Sequence, residues 1–261
     1  VTCQGSSSNF SLALTDPFSL APLSDPLGDD TLDTCYGQEL EFLKTSVSQS
    51  NAYAGVISNA ADKGNNIIAY PDNNELAQQL KTIALLIAGG LRTRVYIANI
   101  GGFDTHSSQV DPTDTTIGRH ADLMTELSTA IHAFQNDLQA LGLEEKVPTM
   151  TFSEFGRRIR SNESYGTDHG TAAPLMLFGS CLNPGIFGES PEIPDEPSVQ
   201  DGVPMQFDFR SIYGSVLMDW FGVEEEEVRK WHERVLRLAD GEALEGVLEP
   251  KIAGLAVAVT C

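Results

Sequence analysis

Two segments of the chain place apolar residues on one face of a helix. After the turn at Pro71, the spacing predicts a helix that ends at Gly89-Gly90; its apolar positions, four, three and four residues apart, are Leu76, Leu80, Ile83 and Ile87. A second helix is predicted near residues 118–141, with an apolar face made of Leu123, Leu127, Ile131, Phe134 and Leu138. Further helices are predicted over residues 38–61, over residues 208–221 and from residue 224 onward.

Short apolar runs between these helices are typical of buried strands. They cover residues 94–100 (RVYIANI), 147–152 (VPTMTF), 174–178 (PLMLF) and 252–259. The alternation of helix and strand favours an α/β protein with a mainly parallel sheet. Residues 1–37 show little pattern, so we expect an irregular N-terminal arm that packs on the domain or on a neighbouring subunit, followed by one α/β domain over residues 38–261.

The charge balance excludes one class of partner. Asp and Glu number 37 against 16 Lys and Arg, which gives a net charge of −21. Binding to nucleic acid needs a basic surface, so a nucleic-acid partner is excluded. No apolar run reaches the ~20 residues of a membrane-spanning helix, so no transmembrane segment is expected. An acidic surface suits a protein that stays soluble in salty or divalent-rich surroundings.

The four cysteines indicate an oxidising compartment. None lies in a CxxC pair, and an even number near termini and loops is typical of structural disulfides in a secreted, periplasmic or extracellular protein. Of the three possible pairings we predict Cys3–Cys35 and Cys181–Cys261; the alternative is four buried free thiols. The start of the chain has neither a basic segment nor an apolar core, so we expect that any export leader has been removed.

Polar side chains follow two of the predicted strands. Asp104 and His106 come after the run at 94–100, and a second cluster after the run at 147–152 contains Ser153, Glu154 and Arg157. Ligands of open α/β sheets bind beyond the carboxyl ends of strands, so both clusters are expected at one edge. A third pair, Asp168-His169, lies between glycines just before the run at 174–178.

These residue types indicate a metal site. Carboxylates and neutral imidazoles bind zinc or another divalent ion, with calcium and magnesium as further possibilities, so the predicted ligands are Asp104, His106, Glu154, Asp168 and His169. Glu154 could instead orient a ligating histidine. A bound ion would lower the pKa of a water to ~7 or polarise a phosphoryl oxygen.

Arg157, Ser153 and His120 are interpreted as groups around the metal. Arg157 could hold an anionic substrate bidentately. Ser153 has no GxSxG context, so we interpret it as a hydrogen-bonding residue and not as a nucleophile. His120 starts a predicted helix, where it could reach the site, cap the helix or lie on the surface.

Each of these patterns has a plainer explanation. A DxH motif occurs often by chance, and Asp104 with His106 alone is equally well explained as a surface turn. His132 and His232 lie in predicted helices and are interpreted as structural or solvated. The positions of all three motifs near strand ends favour a site.

The motifs resemble the bacterial domain-of-unknown-function family 1501, which is placed with the alkaline phosphatase and sulfatase superfamily. The resemblance extends over residues 75–225 and rests on four stretches: ELAQQLKTIALLIAGGLRTRVYIANIGGFDTHSSQ at 75–109, VPTMTFSEFGRR at 147–158, NESYGTDHG at 162–170 and DFRSIYGSVLMDWFGV at 208–223. It implies an alkaline-phosphatase-like, three-layer αβα sandwich with a metal at one sheet edge. By the same resemblance, Asp168 and His169 correspond to a paired set of metal ligands and Asp104 and His106 to another.

One departure from that superfamily separates two hypotheses for function. Its members carry a first strand with a metal-binding Asp, followed by a Ser, Thr or Cys nucleophile, and residues 1–37 do not resemble it. We therefore expect a C-terminal part, with a mature protein that has lost this strand as the alternative. The first hypothesis is a secreted metal-dependent hydrolase of phosphate or sulfate esters, with no catalytic residue assigned. The second is an inactive structural protein that assembles outside the cell as a homo-oligomer or filament. A module that binds an anionic glycan ranks third, because the net charge opposes it.

Overall fold

The structure, a computed structural model, describes residues 2–4, 11–24, 34–236 and 256–260. Its helices are α1 (Cys35–Lys63), α2 (Glu75–Ala88), α3 (Arg119–Ala140), α4 (Phe209–Ser215) and α5 (Glu225–Leu236), with a 3-10 turn at Glu144–Lys146 and a π-helical turn at Val216–Trp220. Its strands are β1 (Thr2–Gln4), β2 (Ser11–Ala13), β3 (Val95–Asn99), β4 (Thr149–Phe152), β5 (Gly156–Arg157), β6 (His169–Gly170), β7 (Leu177–Phe178) and β8 (Ala256–Thr260).

The two amphipathic helices predicted from spacing are confirmed as α2 and α3. Their apolar stripes are buried and form most of the core, in which α2 packs between α1 and α3 and contacts β3. Asn74 fixes where α2 begins: its Oδ1 accepts a hydrogen bond from the Ala77 amide at 3.0 Å. The same side chain donates to the Glu126 carbonyl at 2.7 Å, so one residue both caps α2 and attaches it to α3.

The main sheet has the strand order β2-β1-β3-β8-β4-β7. Strand β8 is parallel to both β3 and β4, whereas the β1–β2, β1–β3 and β4–β7 pairings are antiparallel. The sheet is therefore mixed and its strands are short, while 41% of the described residues are helical. The predicted three-layer αβα sandwich with a mainly parallel sheet is wrong.

The connections explain this difference. Parallel neighbours need a crossover, usually a helix. The chain between β4 and β7 contains only the β5–β6 hairpin, so β7 returns beside β4 in the antiparallel direction. At the other side of the sheet, β1 and β2 pair as antiparallel strands and β1 adds to β3, so part of the predicted irregular arm is strand. Asn51 of α1 exchanges two hydrogen bonds with the backbone of Leu23, which attaches the end of the arm to the domain.

The predicted Cys3–Cys35 disulfide is not formed. Cys35 is an exposed free cysteine at the first residue of α1. Pairing within the sheet holds the backbone of Cys3 opposite Leu12 and Tyr96, which fixes its position independently of α1. Cys181 is buried beside Trp220, and its predicted partner Cys261 lies outside the described residues.

Two smaller features complete the fold. Asp208 caps α4 by accepting from the Arg210 amide at 2.9 Å, and its carboxylate also pairs with the Arg210 guanidinium. In the part of the chain that the structure describes, no helix is both long enough and apolar enough to span a membrane.

A buried carboxylate on α3 organises the segment between α1 and α2. Asp137 accepts four hydrogen bonds of 2.7 to 3.0 Å, from the amides of Ile67 and Ile68, the Asn66 side chain and the Tyr70 hydroxyl. Burial, together with the charge of Asp137, raises the pKa of Tyr70, so the phenol keeps the proton that it donates. This segment has no regular structure of its own and takes its shape from α3.

Replacing Asp137 by Ala should lower the free energy of unfolding by about 3 kcal/mol or more, because four donors, among them the amides of Ile67 and Ile68, lose an acceptor that is itself fully buried. Urea denaturation followed by circular dichroism measures the change. Asp137→Asn keeps an acceptor oxygen for both amides and should cost clearly less. Equal losses for the two variants would contradict this account.

Candidate metal centre

The candidate centre is built by two segments that extend from the sheet edge. The first is the loop after β3, which carries Asp104 and His106; the second is the hairpin of β5 and β6 that follows β4. In the hairpin, His169 lies directly opposite Arg157. The structure brings together Asp104 and His106, which follow a predicted strand, and His169, which precedes another.

The three side chains meet at a single carboxylate oxygen. Asp104 Oδ1 lies 2.7 Å from His106 Nδ1 and 2.7 Å from His169 Nε2. The guanidinium of Arg157 donates to the same oxygen at 3.2 Å. The hydrogen bond with His169, aided by the nearby charges of His106 and Arg157, lowers the pKa of Asp104 and keeps the carboxylate ionised.

This arrangement fits a small divalent ion. The ligand atoms of Asp104, His106 and His169 all lie within 4.8 Å of one another, and all three side chains are exposed. Zinc bonds of about 2.0 Å in a tetrahedral site place ligand atoms about 3.3 Å apart. The carboxylate oxygen lies 2.7 Å from each imidazole nitrogen, so each of these two separations would lengthen by about half an ångström on binding zinc.

Arg157 connects the two segments. Its guanidinium donates to the Thr167 carbonyl at 2.9 Å, to the Phe103 carbonyl, and to the Thr105 hydroxyl at 3.3 Å, in addition to Asp104. The expected role of Arg157 was to hold an anionic substrate. The structure instead directs its donors to protein acceptors on both sides, so it acts as a clamp between the segments.

A stacked aromatic ring orients His169. The Phe155 ring lies parallel to the imidazole, with centroids 3.9 Å apart and planes inclined by 8°. The Arg157 guanidinium lies over the same phenyl ring, 5.1 Å from its centroid. Stacking of this kind restricts rotation of the imidazole, which keeps Nε2 directed towards Asp104.

Backbone contacts hold the two segments together closely. At Gly166, an added Cβ would lie 2.3 Å from the His106 carbonyl oxygen, so a side chain has no room there. The Thr167 amide donates to the Thr105 carbonyl at 3.3 Å, and Asn162 donates to the His106 carbonyl at 2.8 Å.

Gln109 bridges the segments through its side chain. Its Oε1 accepts from the Thr105 hydroxyl at 2.8 Å and from the Thr167 hydroxyl at 2.7 Å. Gln109, Asn162 and Phe155 were not predicted from the sequence. Their only signal was proximity in sequence to the predicted ligands, because the partners Thr167, His106 and His169 are distant along the chain.

Two predicted ligands do not join the cluster. Asp168 directly precedes β6, and its Oδ1 lies 3.4 Å from the side-chain nitrogen of Asn162. Glu154 is exposed between β4 and β5. Neither residue belongs to the group of potential ligands, so the structure separates the predicted Asp168-His169 pair.

Ser153 and His120 lie near the cluster without belonging to it. The Ser153 hydroxyl donates to the Phe155 carbonyl at 2.9 Å, a hydrogen bond that shapes the entry to β5. His120 lies in the first turn of α3, and its ring meets Phe103 edge-on with centroids 6.0 Å apart.

Gly166→Ala should reduce the free energy of unfolding by about 1–3 kcal/mol, because the new methyl group collides with backbone that cannot move aside. Gly55→Ala is the matched control: its position in α1 has open space around it, so it should be neutral or stabilise the protein by about 0.5–1 kcal/mol. Urea denaturation of both variants tests this difference. A Gly166→Ala protein as stable as wild type would show that the segments are farther apart than described.

Comparison with known proteins gives one family and no close relative. No curated protein and no solved structure matches the chain. The family model described as protein of unknown function (DUF1501) matches residues 58–230, which include α2, α3 and every residue of the candidate centre. Since this match covers more than half of the chain, the protein belongs to the DUF1501 family.

Proposed function

We propose that the protein binds a divalent metal ion through Asp104, His106 and His169 and uses it to hydrolyse esters. The observation that carries this proposal is the convergence of two imidazoles and one carboxylate, from two separate segments, around one point. Exposed acidic groups alone are common on protein surfaces. Here the Phe155 ring stacks on the His169 imidazole, and Arg157 and Gln109 join the two segments that carry the ligands.

The ligand types favour zinc among the possible ions. Imidazole nitrogen binds zinc and similar transition metals, whereas calcium and magnesium take oxygen ligands. Three protein ligands with an exposed side correspond to the pattern of catalytic zinc sites, which keep a position open for water or substrate. When bound, the ion would supply an activated water and polarise the oxygen of a substrate.

The protein residues around the ion have distinct roles in this proposal. Asp104 supplies the negative charge, and Arg157 holds that carboxylate in place from the protein side. Phe155 fixes the plane of His169, and Gln109 keeps the two segments in register. Because the activated water replaces a side-chain nucleophile, the proposal needs none from Ser153.

The resemblance to the alkaline phosphatase and sulfatase superfamily suggests phosphate or sulfate esters as substrates. The suggestion concerns only the chemistry of the metal site. Placement of the chain as the C-terminal part of such a protein, and its export to the periplasm or medium, stay predictions from the sequence.

Zinc or cobalt should bind the purified chain with one ion per molecule, and His106→Ala and His169→Ala should each weaken binding at least about tenfold, because each removes one ligand. Isothermal titration of metal-free protein measures the affinity. The control is His132→Ala, which removes an exposed histidine of α3 far along the chain from the site and should bind metal as wild type does. Equal affinity of all three variants would rule out this centre.

The zinc-loaded chain should hydrolyse an aryl phosphate or an aryl sulfate, and Asp104→Asn should lose most of that activity. The rate at low substrate should rise with moderate salt, because the net charge of −21 repels an anionic ester and salt screens the repulsion. Steady-state kinetics across a salt series provide the measurement. If the chain binds metal but hydrolyses neither ester, the proposed hydrolase activity is rejected and metal binding alone is supported.

Exposed apolar residues favour self-assembly as the second candidate. Ile186, Phe187 and Ile193 lie largely exposed on the segment between β7 and α4. Such residues commonly mark contact surfaces. A chain that lacks turnover and forms large particles by light scattering would support this alternative, a homo-oligomer or filament.

A further inference from the structure

A cleft of about 300 Å³ lies beside the candidate metal centre. Its walls are the loop between β3 and α3 and, across from it, Tyr165. Both walls continue directly into the ligand segments: Ser108 follows His106 by two positions, and Tyr165 precedes His169 by four. The Ser108 amide donates to the Ser164 carbonyl at 2.9 Å and the Val110 amide to the Tyr165 carbonyl at 3.3 Å, which joins the walls.

The lining of this cleft is part apolar and part polar, and it is open to solvent. Val110 and Pro112 contribute to it together with Ile117 and Tyr165, whose side chains are 54% and 51% exposed. The one carboxylate among the lining residues, Asp111, is engaged by the hydroxyl and amide of Thr113. Small-molecule sites typically combine such an apolar wall with a few polar groups.

Backbone strain is concentrated in the same place. Within the described residues, the two non-glycine positions with positive φ are Ser108 at 53° and Tyr165 at 56°, and both line the cleft. A bulky aromatic residue adopts this conformation at a cost that glycine would avoid. Strain of this kind persists where the surrounding structure requires it, often at ligand sites. The Tyr165 ring is thus kept exposed against a backbone preference.

We propose that this cleft binds the aromatic or other apolar part of a ligand whose oxygen donors bind the metal at Asp104, His106 and His169. This inference rests on the proposed metal centre and adds a specificity site to it. The metal then recognises the polar end of the ligand, and Tyr165 and Ile117 recognise the apolar end. The carboxylate of Asp111 beside the cleft disfavours a second anionic group there.

Two hydroxamates with the same metal-binding head test the proposal on the zinc-loaded chain. Benzohydroxamate carries a phenyl ring that can enter the cleft, whereas acetohydroxamate carries only a methyl group. Isothermal titration should show benzohydroxamate binding about tenfold more tightly, as expected for partial burial of a phenyl ring. Equal affinity for the two compounds, with zinc bound, would overturn the proposed binding role of the cleft but would not contradict the metal centre.

Variants of the two exposed side chains locate the effect. Ile117→Ala and Tyr165→Gly should each bring the ratio of the two affinities below about threefold, while the affinity for acetohydroxamate stays unchanged. Ile186→Ala, which truncates a fully exposed isoleucine elsewhere, should keep the full ratio. A Tyr165→Gly protein that retains the full ratio would also overturn the proposal.

Thermal unfolding of the same Tyr165→Gly protein separates function from stability. Removing the strained φ should raise the Tm even as the preference for the phenyl ring is lost. A lower Tm would show that the ring stabilises the fold by more than the positive φ costs, which overturns the argument from backbone strain. Failure of zinc to bind wild type in the first titration would reject the metal centre, and this inference with it.

Discussion

The guanidinium of Arg157 is the contact on which the candidate centre depends. It joins the Phe103 and Thr167 carbonyls, one from each ligand segment, and holds the Asp104 carboxylate between them. A planar group with several fixed donors can satisfy acceptors on two sides at once, which an ammonium on a flexible stem does less well. Without this cation, the Asp104 carboxylate and the two carbonyls would lose the donor that they share.

The fold separates a rigid support from an adaptable site. The helices α1, α2 and α3 bury the main core, and Asp137 fixes the irregular segment between the first two. The candidate ligands lie on the loop after β3 and on the small β5–β6 hairpin, outside that core. Loops positioned by a rigid scaffold commonly carry binding residues because their sequence is free of packing constraints.

Local charge and overall charge oppose each other in this protein. The net charge is −21, yet the centre gathers Arg157 and two imidazoles around one carboxylate. A metal ion would therefore be attracted by the field of the whole protein, whereas an anionic substrate would be repelled until it reaches the centre. Such a field favours ligands that combine a small polar head with an uncharged body.

The sequence by itself predicted the helices and the order of the polar motifs. Apolar periodicity is a local property of the chain, and α2 and α3 pack through the apolar faces that it defines. The sequence did not predict the direction of the strands. Short runs such as residues 174–178 do not indicate which neighbouring strand they pair with. Strand β7 is antiparallel to β4 because the connection between them contains no helix. The sequence also brought forward Asp104, His106 and His169, since each is a ligand type near a strand end. Only the three-dimensional structure placed His169, without Asp168, beside Asp104 and turned Arg157 towards the protein. The contacts of His169 with Asp104 and of Arg157 with Phe103 join segments that are more than 50 residues apart in the chain, which no local pattern encodes.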